Sequence, residues 1–235
     1  GLLEKSARFA RMSREMRRDV TITTAKLAKI GVTAETAAET FNFLTVNLGM
    51  SGDKAIEVQK KIAIMGTKIG ISSKKMTQDF NASLKTLAVY GDKAVDVFVN
   101  LAAAAKAAGV ETSSLLAIAG KFDTFSDAAK TTGSLNALLG TQLSTTQMLM
   151  ATEDERIEIL LRNMQAQGIA FKDMDRFTQK SIAAQLGIKD LNEAQKILGT
   201  SAGVWKKNRE EMEKNVKIQE NFDEAIAATV PVMQK

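Results

Sequence analysis

The strongest constraint on the fold is a spacing of 39 residues between similar short motifs. Three Gly–apolar pairs follow one another at this interval, and a fourth comes after twice the interval: Gly31-Val32, Gly70-Ile71, Gly109-Val110 and Gly187-Ile188. The tetrapeptide Gly-Asp-Lys-Ala also occurs twice, at 52–55 and 91–94, with the same separation. An internal period of this size is typical of stacked helical hairpins. The alternative is a chance recurrence in a helical chain that contains many Ala and Gly residues.

Each Gly–apolar pair has the pattern of a helix C-terminus. Gly adopts the left-handed conformation that ends a helix without steric strain, and the apolar residue after it packs back onto the last turn. A Ser, Thr or Asp follows and is suited to cap the next helix. Two reciprocal capping pairs, Thr152 with Glu155 and Asp190 with Glu193, indicate further helix starts, and Thr124, with Asp127 at the third position, is suited to cap another helix. The sequence therefore predicts successive helices joined by short turns.

The fold class that we predict is all-α. No segment alternates apolar and polar residues for long enough to indicate a strand, and the chain contains one Pro and few aromatic residues. We expect antiparallel helical hairpins with a repeat of roughly 39 residues, flanked by longer N- and C-terminal helices. Residues 140–151 are the least regular part. The expected helices are 4–30, 33–48, 52–69, 73–89, 91–108, 112–121, 125–139, 153–167, 173–186, 190–198 and 204–229.

The chain ends define the predicted organisation: an N-terminal amphipathic helix over 1–30, a helical repeat module over 31–199, and a C-terminal amphipathic helix over 200–235. In both end helices apolar residues recur every three or four positions, which places them on one face. Either helix is able to dock on the chain's own core, or to form a seam with another copy of the chain. The candidate contacts with an oligomer or partner are Phe9, Met12, Met16, Val20, Leu27, Met212, Val216, Phe222 and Ile226.

Several kinds of chemistry lack their residues. The chain has no His and no Cys, which removes imidazole bases, catalytic triads, thiol nucleophiles and the usual zinc ligands. It has no phosphate-binding loop and no dinucleotide fingerprint. We therefore expect no enzymatic activity, no cofactor and no metal site.

An acidic cluster and a basic cluster remain. Glu153, Asp154, Glu155 and Glu158 lie at a predicted helix start, where each acid stabilises the helix dipole by about 0.3–1 kcal/mol. We expect these acids to cap the helix and face solvent, rather than to form a catalytic pair or a metal site. The basic cluster is suited to a solvated helix face, to an acidic protein surface or to nucleic acid. It consists of Arg8, Arg11, Arg14, Arg17 and Arg18.

One segment, KFDTFSDAAKTTGSLNALLGTQLSTTQMLMATEDERIEIL at 121–160, is more distinctive than the rest. It resembles part of the tape measure proteins, the tail length determinants, of contractile-tailed bacteriophages. FTQKSIAAQLGIKDLNEAQKILG at 177–199 looks like the segment that follows in that family, so the best match spans 121–199. The family often has a second Gly after Gly140, where this chain has Thr141. The residues that carry the resemblance are Phe122, Asp123, Thr124, Phe125, Gly133, Leu135, Asn136, Gly140, Glu155 and Arg156.

The resemblance implies a structural virion protein rather than an enzyme. Tape measure proteins set tail length, occupy the tail tube or baseplate hub as several copies about the tail axis, and leave ahead of the genome on infection. By this likeness we expect a homo-oligomer that contacts tail tube or baseplate hub proteins, located in the virion and made in the host bacterial cytoplasm. We also expect the chain to be a piece of a longer protein, because it starts with Gly1 and ends in VPVMQK.

Two other functions are compatible with the residues. A helical-repeat scaffold that binds other proteins has a similar period, and a nucleic-acid-binding helical protein would use the N-terminal arginines. The net charge of +5 permits contact with anions without requiring it. No apolar run approaches the length of a membrane span, so we expect no stable span in this segment.

Overall fold

The computed structural model describes residues 11–213 and 218–229. All regular structure in these residues is helical and none of it is strand, which confirms the all-α prediction. The α-helices of the described residues are α1 (Arg14–Lys29), α2 (Ala34–Asn42), α3 (Gly52–Lys68), α4 (Ser73–Leu87), α5 (Ala94–Ala108), α6 (Thr112–Ala119), α7 (Phe125–Leu139), α8 (Thr145–Met150), α9 (Glu153–Ala166), α10 (Arg176–Gln185), α11 (Leu191–Leu198), α12 (Ala202–Glu213) and α13 (Ile218–Thr229).

Shorter helical segments connect some of these elements. Three are 3₁₀ turns, at Ala88–Lys93, Gly120–Phe122 and Phe171–Asp173. The fourth, Phe43–Asn47, is a π-helix that continues α2, where the sequence predicted ordinary helix. π-Helical segments are rare, and those that occur are frequently found at functional sites. The sequence also missed α8, which lies in the region expected to be irregular.

The chain forms two compact units. The first contains α1 to α4 and α13, and the second begins at Asp96, within α5, and contains the helices through α12. The three-part division predicted from sequence is drawn at other residues and stays a prediction.

Five helices of the described residues end in turns with the same backbone geometry. In each turn the backbone N–H of the residue after the Gly donates to the carbonyl oxygen of the residue five positions earlier. The Val32 N–H, for example, donates to the Leu27 carbonyl oxygen at 3.1 Å. This Schellman arrangement satisfies carbonyl groups that a helix end leaves open. The predicted Gly–apolar helix ends are confirmed, and Gly168 adds one that was not predicted. The turn glycines, all with positive φ, are Gly31, Gly70, Gly109, Gly168 and Gly187.

In the first unit, α3 packs closely against α4. A Cβ atom placed on Gly66 of α3 would lie 2.8 Å from the Cβ of Met76 on α4. At the same junction the Ser73 hydroxyl donates to the carbonyl oxygen of Ala63 at 2.9 Å. The absence of a side chain at Gly66 therefore sets the distance between the two helices.

An apolar cluster holds α13 on the same unit. Phe222 and Ile226 are buried there, and the Lys60 ammonium group lies over the Phe222 ring, 5.6 Å from its centre, in a cation–π arrangement. At the exposed edge, Lys26 Nζ is 3.1 Å from Asp223 Oδ1. The other buried members of the cluster, contributed by α1, α2, α3 and the turn after α1, are Leu27, Val32, Ala37, Ala63 and Ile64.

In the second unit, most residues of α9 are buried. Asn100 of α5 donates from its amide to the Asp154 carboxylate at the start of α9, at 3.0 Å. Helix α9 also packs against α6 and α12, and α10 packs against α7 and α11. Apolar residues of α9 that lie in this core are Ile157, Leu160, Leu161 and Met164.

Candidate interaction surfaces

Within 121–160, the segment that resembles the tape measure family and that we call the family-like segment, Arg156 makes four side-chain hydrogen bonds. Its side chain is buried, and its Nε donates to the carbonyl oxygen of Met148 at 2.9 Å. Nη1 donates to the carbonyl oxygen of Ala119 at 2.9 Å and to Oδ1 of Asp123 at 2.5 Å. Nη2 donates to the carbonyl oxygen of Leu149 at 3.2 Å. One side chain of α9 therefore ties together the C-terminal ends of α6 and α8.

Asn136 organises the turn between α7 and α8. Its Oδ1 accepts from the Thr141 hydroxyl and from the Leu143 N–H, both at 2.8 Å. Its Nδ2 donates to the Leu143 carbonyl oxygen at 3.0 Å. Gly140 ends α7 with a left-handed φ of 65° and donates to the Asn136 carbonyl oxygen. Thr141, where the family pattern often has Gly, thus supplies a hydroxyl that this turn uses.

Two of the predicted helix caps are confirmed. The Thr124 hydroxyl accepts from the Asp127 N–H at 3.1 Å at the start of α7. Thr152 and Glu155 form a capping box at the start of α9, in which the Glu155 carboxylate accepts from the Thr152 N–H at 3.0 Å. Both caps depend on residues within one turn of helix.

The capping box predicted for Asp190 and Glu193 is wrong. Asp190 does cap α11, by accepting from the Asn192 N–H at 2.8 Å. The Glu193 carboxylate instead accepts a hydrogen bond from the Ser114 hydroxyl on α6. A tertiary contact has therefore replaced the local one.

The prediction that the acids of 153–158 face solvent is also wrong for most of them. Glu153, Asp154 and Glu158 are buried, whereas Glu155 is exposed. Asp154 accepts from Asn100 and from the Thr152 hydroxyl at 2.6 Å, and Glu158 pairs with Arg162 one turn later. Asp154 therefore links α9 to α5 through Asn100, in addition to any effect of these acids on the helix dipole.

The remaining residues of the family-like segment divide into core and surface. Phe122 and Leu135 are buried in the second unit. Gly133 is exposed on α7, and a Cβ atom there would meet no heavy atom within 4 Å. Phe125, the first residue of α7, exposes most of its ring to solvent.

The candidate contacts on the end helices occupy two environments. Val20, Leu27, Phe222 and Ile226 are buried in the first unit itself, so for these four the structure favours docking on the chain's own core over a seam with another chain. Met12 and Met16 are only partly buried. Phe9 and Val216 lie outside the described residues, as does the side chain of Met212.

Met12 and Met16 line a groove of about 790 Å³ in the first unit. Met16 lies over the start of α3, where a Cβ atom on Gly52 would be 2.5 Å from the Met16 Sδ. The lining residues are separated in the sequence, and the fold brings them together. They come from the start of α1 and the residues just before it, from the π-helix, and from the turn that leads into α3. We call this feature the methionine groove. Its lining residues are Arg11, Met12, Met16, Thr45, Val46, Met50, Ser51 and Gly52.

The basic cluster of α1 lies on the surface of the first unit. Arg11, Arg14, Arg17 and Arg18 are all exposed, while Arg8 lies outside the described residues. Their exposure agrees with a solvated helix face and equally with a contact to an acidic protein surface or to nucleic acid, so all three stay predictions. Only Arg11 among them lines the methionine groove.

Other kinds of site leave no trace in the part of the chain that the structure describes. No group of three or more acids is arranged to hold a metal ion there. No single described helix is long and apolar enough to cross a membrane, although α5 and the segment Thr112–Phe122, bent by 116°, meet the length and composition criteria as a pair. Comparison with family models, with curated proteins and with solved structures finds no match to this chain.

Proposed function

We propose that this chain is an ordered module of a phage tail tape measure protein, which sets tail length and sits inside the tail tube or the baseplate hub. The observation that carries the proposal is the likeness of 121–199 to a segment of that family. Its support from the fold is indirect: Arg156 and Asn136, two residues of the likeness, hold the turns of this segment together. A role of this kind needs helices that pack and come apart, and needs no active site.

The proposed architecture is a series of helical hairpins with a repeat of about 39 residues. The identical turn geometry at the predicted glycines supports it. The two Gly-Asp-Lys-Ala motifs are less alike, since Gly52 is the first residue of α3, whereas Gly91 has φ 53° and ψ −123° inside a 3₁₀ segment. Superposition of 52–69 on 91–108 in an experimental structure, together with the turns that follow, tests the repeat.

In the proposed assembly, several copies lie about the tail axis and contact tail tube or baseplate hub proteins. The protein acts as a structural component of the virion, without enzymatic activity or cofactor, after synthesis in the host bacterial cytoplasm. The exposed part of α1 and the partly buried Met12 and Met16 leave surface for such contacts.

Mass spectrometry of purified tailed particles tests this function. Peptides of this chain should be present in intact particles and depleted from particles that have ejected their DNA, relative to peptides of the tail tube. Recovery of the chain from infected cells but not from intact particles would refute the assignment. Retention after ejection in the same ratio to the tube protein would also refute it.

A helical-repeat scaffold for binding other proteins is the alternative, and the methionine groove is the observation that favours it. A scaffold should be recovered from the cytosol in complex with a partner, whether or not particles are present. Nucleic-acid binding through the exposed arginines of α1 is a third function. It predicts an affinity for DNA that falls steeply as salt is raised.

A further inference from the structure

The methionine groove combines apolar side chains with positive charge. Met12, Met16, Val46 and Met50 supply apolar side chains; Met50 is buried, Met12 and Met16 are partly buried, and Val46 is exposed. Its volume of about 790 Å³ is within the usual range of ligand pockets, roughly 300–1,000 Å³. Methionine side chains are flexible and polarisable, so such a surface adapts to the apolar residues of a partner.

Three features place positive charge at the groove, and two acids in the first turns of the same helices oppose it. Among the described residues that line it, Arg11 is the charged one. The groove also lies at the starts of two long helices, since Ser13 caps α1 next to Met12 and Ser51 caps α3 next to Gly52. The serine hydroxyls accept from the Met16 and Lys54 N–H groups. The other first N–H groups have no intrahelical acceptor, and the helix dipole places about half a positive charge there. Glu15 and Asp53 lie in the same first turns but do not line the groove.

The π-helix Phe43–Asn47 contributes Thr45 and Val46 to the lining of the groove. The Leu48 N–H donates to the Phe43 carbonyl oxygen five positions back, at 3.2 Å, and the buried Thr45 hydroxyl donates to the Phe41 carbonyl oxygen at 2.9 Å. These bonds hold a widened helical turn, on which Val46 is 55% exposed. An apolar side chain held toward solvent on an ordered turn is suited to contact a partner.

From this geometry we propose that the methionine groove binds an acidic amphipathic helix of a partner protein. Apolar residues of that helix, spaced by three and four positions, lie between Met12, Met16 and Val46, as in other helix-in-groove complexes. A carboxylate beside them faces Arg11 and the two helix starts. The inference does not depend on the proposed tail function, because it rests only on the surface of the first unit.

Fluorescence anisotropy with the whole 235-residue chain and two labelled peptides tests the proposal. Each peptide is longer than about 15 residues, so that it forms a helix in water. One carries Leu at helical spacing with Glu on both flanks, and the matched peptide has Lys in place of every Glu. We expect the Lys peptide to bind at least about tenfold more weakly than the Glu peptide, a difference of about 1.4 kcal/mol. Equal binding of the two peptides, or no binding of the Glu peptide, overturns the proposal.

Two pairs of variants locate the binding surface. Val46→Asp should weaken binding of the Glu peptide by about tenfold or more, whereas Val89→Asp should leave it unchanged, because Val89 is an exposed valine of the same unit that does not line the groove. Arg11→Ala should weaken binding more than Arg18→Ala does. Circular dichroism checks folding, and Val46→Ser replaces Val46→Asp if the latter unfolds. Equal effects within either pair contradict the proposal.

The other occupants of the groove give different results. If a second copy of the chain fills it, the wild-type protein should self-associate in analytical ultracentrifugation and Val46→Asp should abolish the association. If the surface binds DNA, duplex DNA should displace the Glu peptide and Arg11→Ala should weaken DNA binding while Val46→Asp does not. Either result overturns the assignment to an acidic helix.

Discussion

Arg156 and Asp123 form an ion pair, Nη1 to Oδ1 at 2.5 Å, whose two members differ greatly in exposure. The Arg156 side chain is 4% exposed and the Asp123 side chain is 47% exposed. An ion pair that is open to water contributes little to stability. The hydrogen bonds from Arg156 to the carbonyl oxygens of Ala119, Met148 and Leu149 therefore account for most of its effect on the fold.

Replacing Arg156 should therefore destabilise the second unit far more than replacing its acidic partner. Arg156→Met leaves three carbonyl groups without this donor, and we expect a loss of about 3–5 kcal/mol in the free energy of unfolding. Asp123→Asn should cost about 1 kcal/mol or less. Urea denaturation followed by circular dichroism measures both. Similar losses for the two variants would show that the ion pair, and not the carbonyl contacts, is the main contribution.

A second prediction concerns the turn held by Asn136. Asn136→Ala removes all three side-chain hydrogen bonds to Thr141 and Leu143, and we expect a loss of about 2 kcal/mol. Asn136→Asp keeps the acceptor for Thr141 and Leu143, but it places a carboxylate oxygen against the Leu143 carbonyl oxygen in place of the donor, so it should destabilise the turn while the Leu143 amide keeps its acceptor. Hydrogen exchange of the Leu143 amide reports the turn directly. Unchanged protection of this amide in Asn136→Ala would contradict the structure of the turn.

A third prediction follows from the burial of Asp154. Asp154→Ala leaves the amide of Asn100 without its acceptor, and we expect a loss of about 1–3 kcal/mol. The double change Glu153→Gln and Asp154→Asn keeps one oxygen acceptor at each position, and the Thr152 hydroxyl is able to accept from the new amide nitrogen at 154, so it should cost about 1 kcal/mol or less. Thermal unfolding of the two variants separates a hydrogen-bonding role from a requirement for charge. A larger loss in the amide variant would mean that the negative charges themselves are needed.

What the sequence predicted correctly is local. The capping pairs Thr124–Asp127 and Thr152–Glu155 lie within one helical turn, and the Gly–apolar helix ends use hydrogen bonds that span six residues or fewer. Local geometry of this kind depends little on the rest of the fold. The all-α class follows from the same signals added along the chain.

What the sequence missed depends on contacts between distant residues. Glu193 matches the capping pattern, but its carboxylate bonds Ser114, 79 positions away. In the sequence, Arg156 resembles the other charged residues of the chain. Its burial depends on the carbonyl groups of Ala119 and Met148, which the fold brings to it. The acids of α9 match a solvent-facing helix start, but Asp154 is buried and accepts a hydrogen bond from Asn100 of α5, 54 positions away.

The sequence did not predict the methionine groove or helix α8, for two different reasons. The groove joins residues near 11–16 with residues at 45–52, and no periodicity links these segments. Helix α8 has only 6 residues, which is too short for apolar spacing to reveal a face. Its signal was Ser144, whose hydroxyl accepts from the Gln147 N–H at 3.3 Å and caps the helix.

A fourth prediction concerns pH. The pKa of Asp175, the exposed N-cap of α10, lies below its ordinary value, mainly because the Thr178 hydroxyl donates to it at 2.6 Å and the Thr178 N–H donates at 3.0 Å. A carboxyl whose pKa is lower in the folded state stabilises the fold above its unfolded pKa, and this contribution is lost as pH falls through the folded pKa. Thr178→Val should raise the pKa of Asp175, whereas Thr178→Ser should preserve it. A carbon-detected NMR titration measures both shifts, and an unchanged pKa in Thr178→Val would contradict this cause.

The last prediction uses two glycines that both lie inside helices but differ in what surrounds them. A Cβ atom at Gly66 would lie 2.8 Å from the Met76 Cβ and 3.0 Å from the Ile71 carbonyl oxygen. Both neighbours are held close to the backbone, so α3 and α4 must move apart to accept a methyl group. We expect Gly66→Ala to destabilise the first unit by about 1–3 kcal/mol.

Gly133 is the matched control in the second unit. A Cβ atom there meets nothing within 4 Å, and Ala is favoured over Gly inside a helix by up to about 1 kcal/mol. Gly133→Ala should therefore stabilise the second unit, opposite in sign to Gly66→Ala. Hydrogen exchange of the amides of α3 and α4, and separately of α7, assigns each effect to its own unit. If Gly66→Ala stabilised the first unit, α3 and α4 would have to lie farther apart at Gly66 than the structure shows.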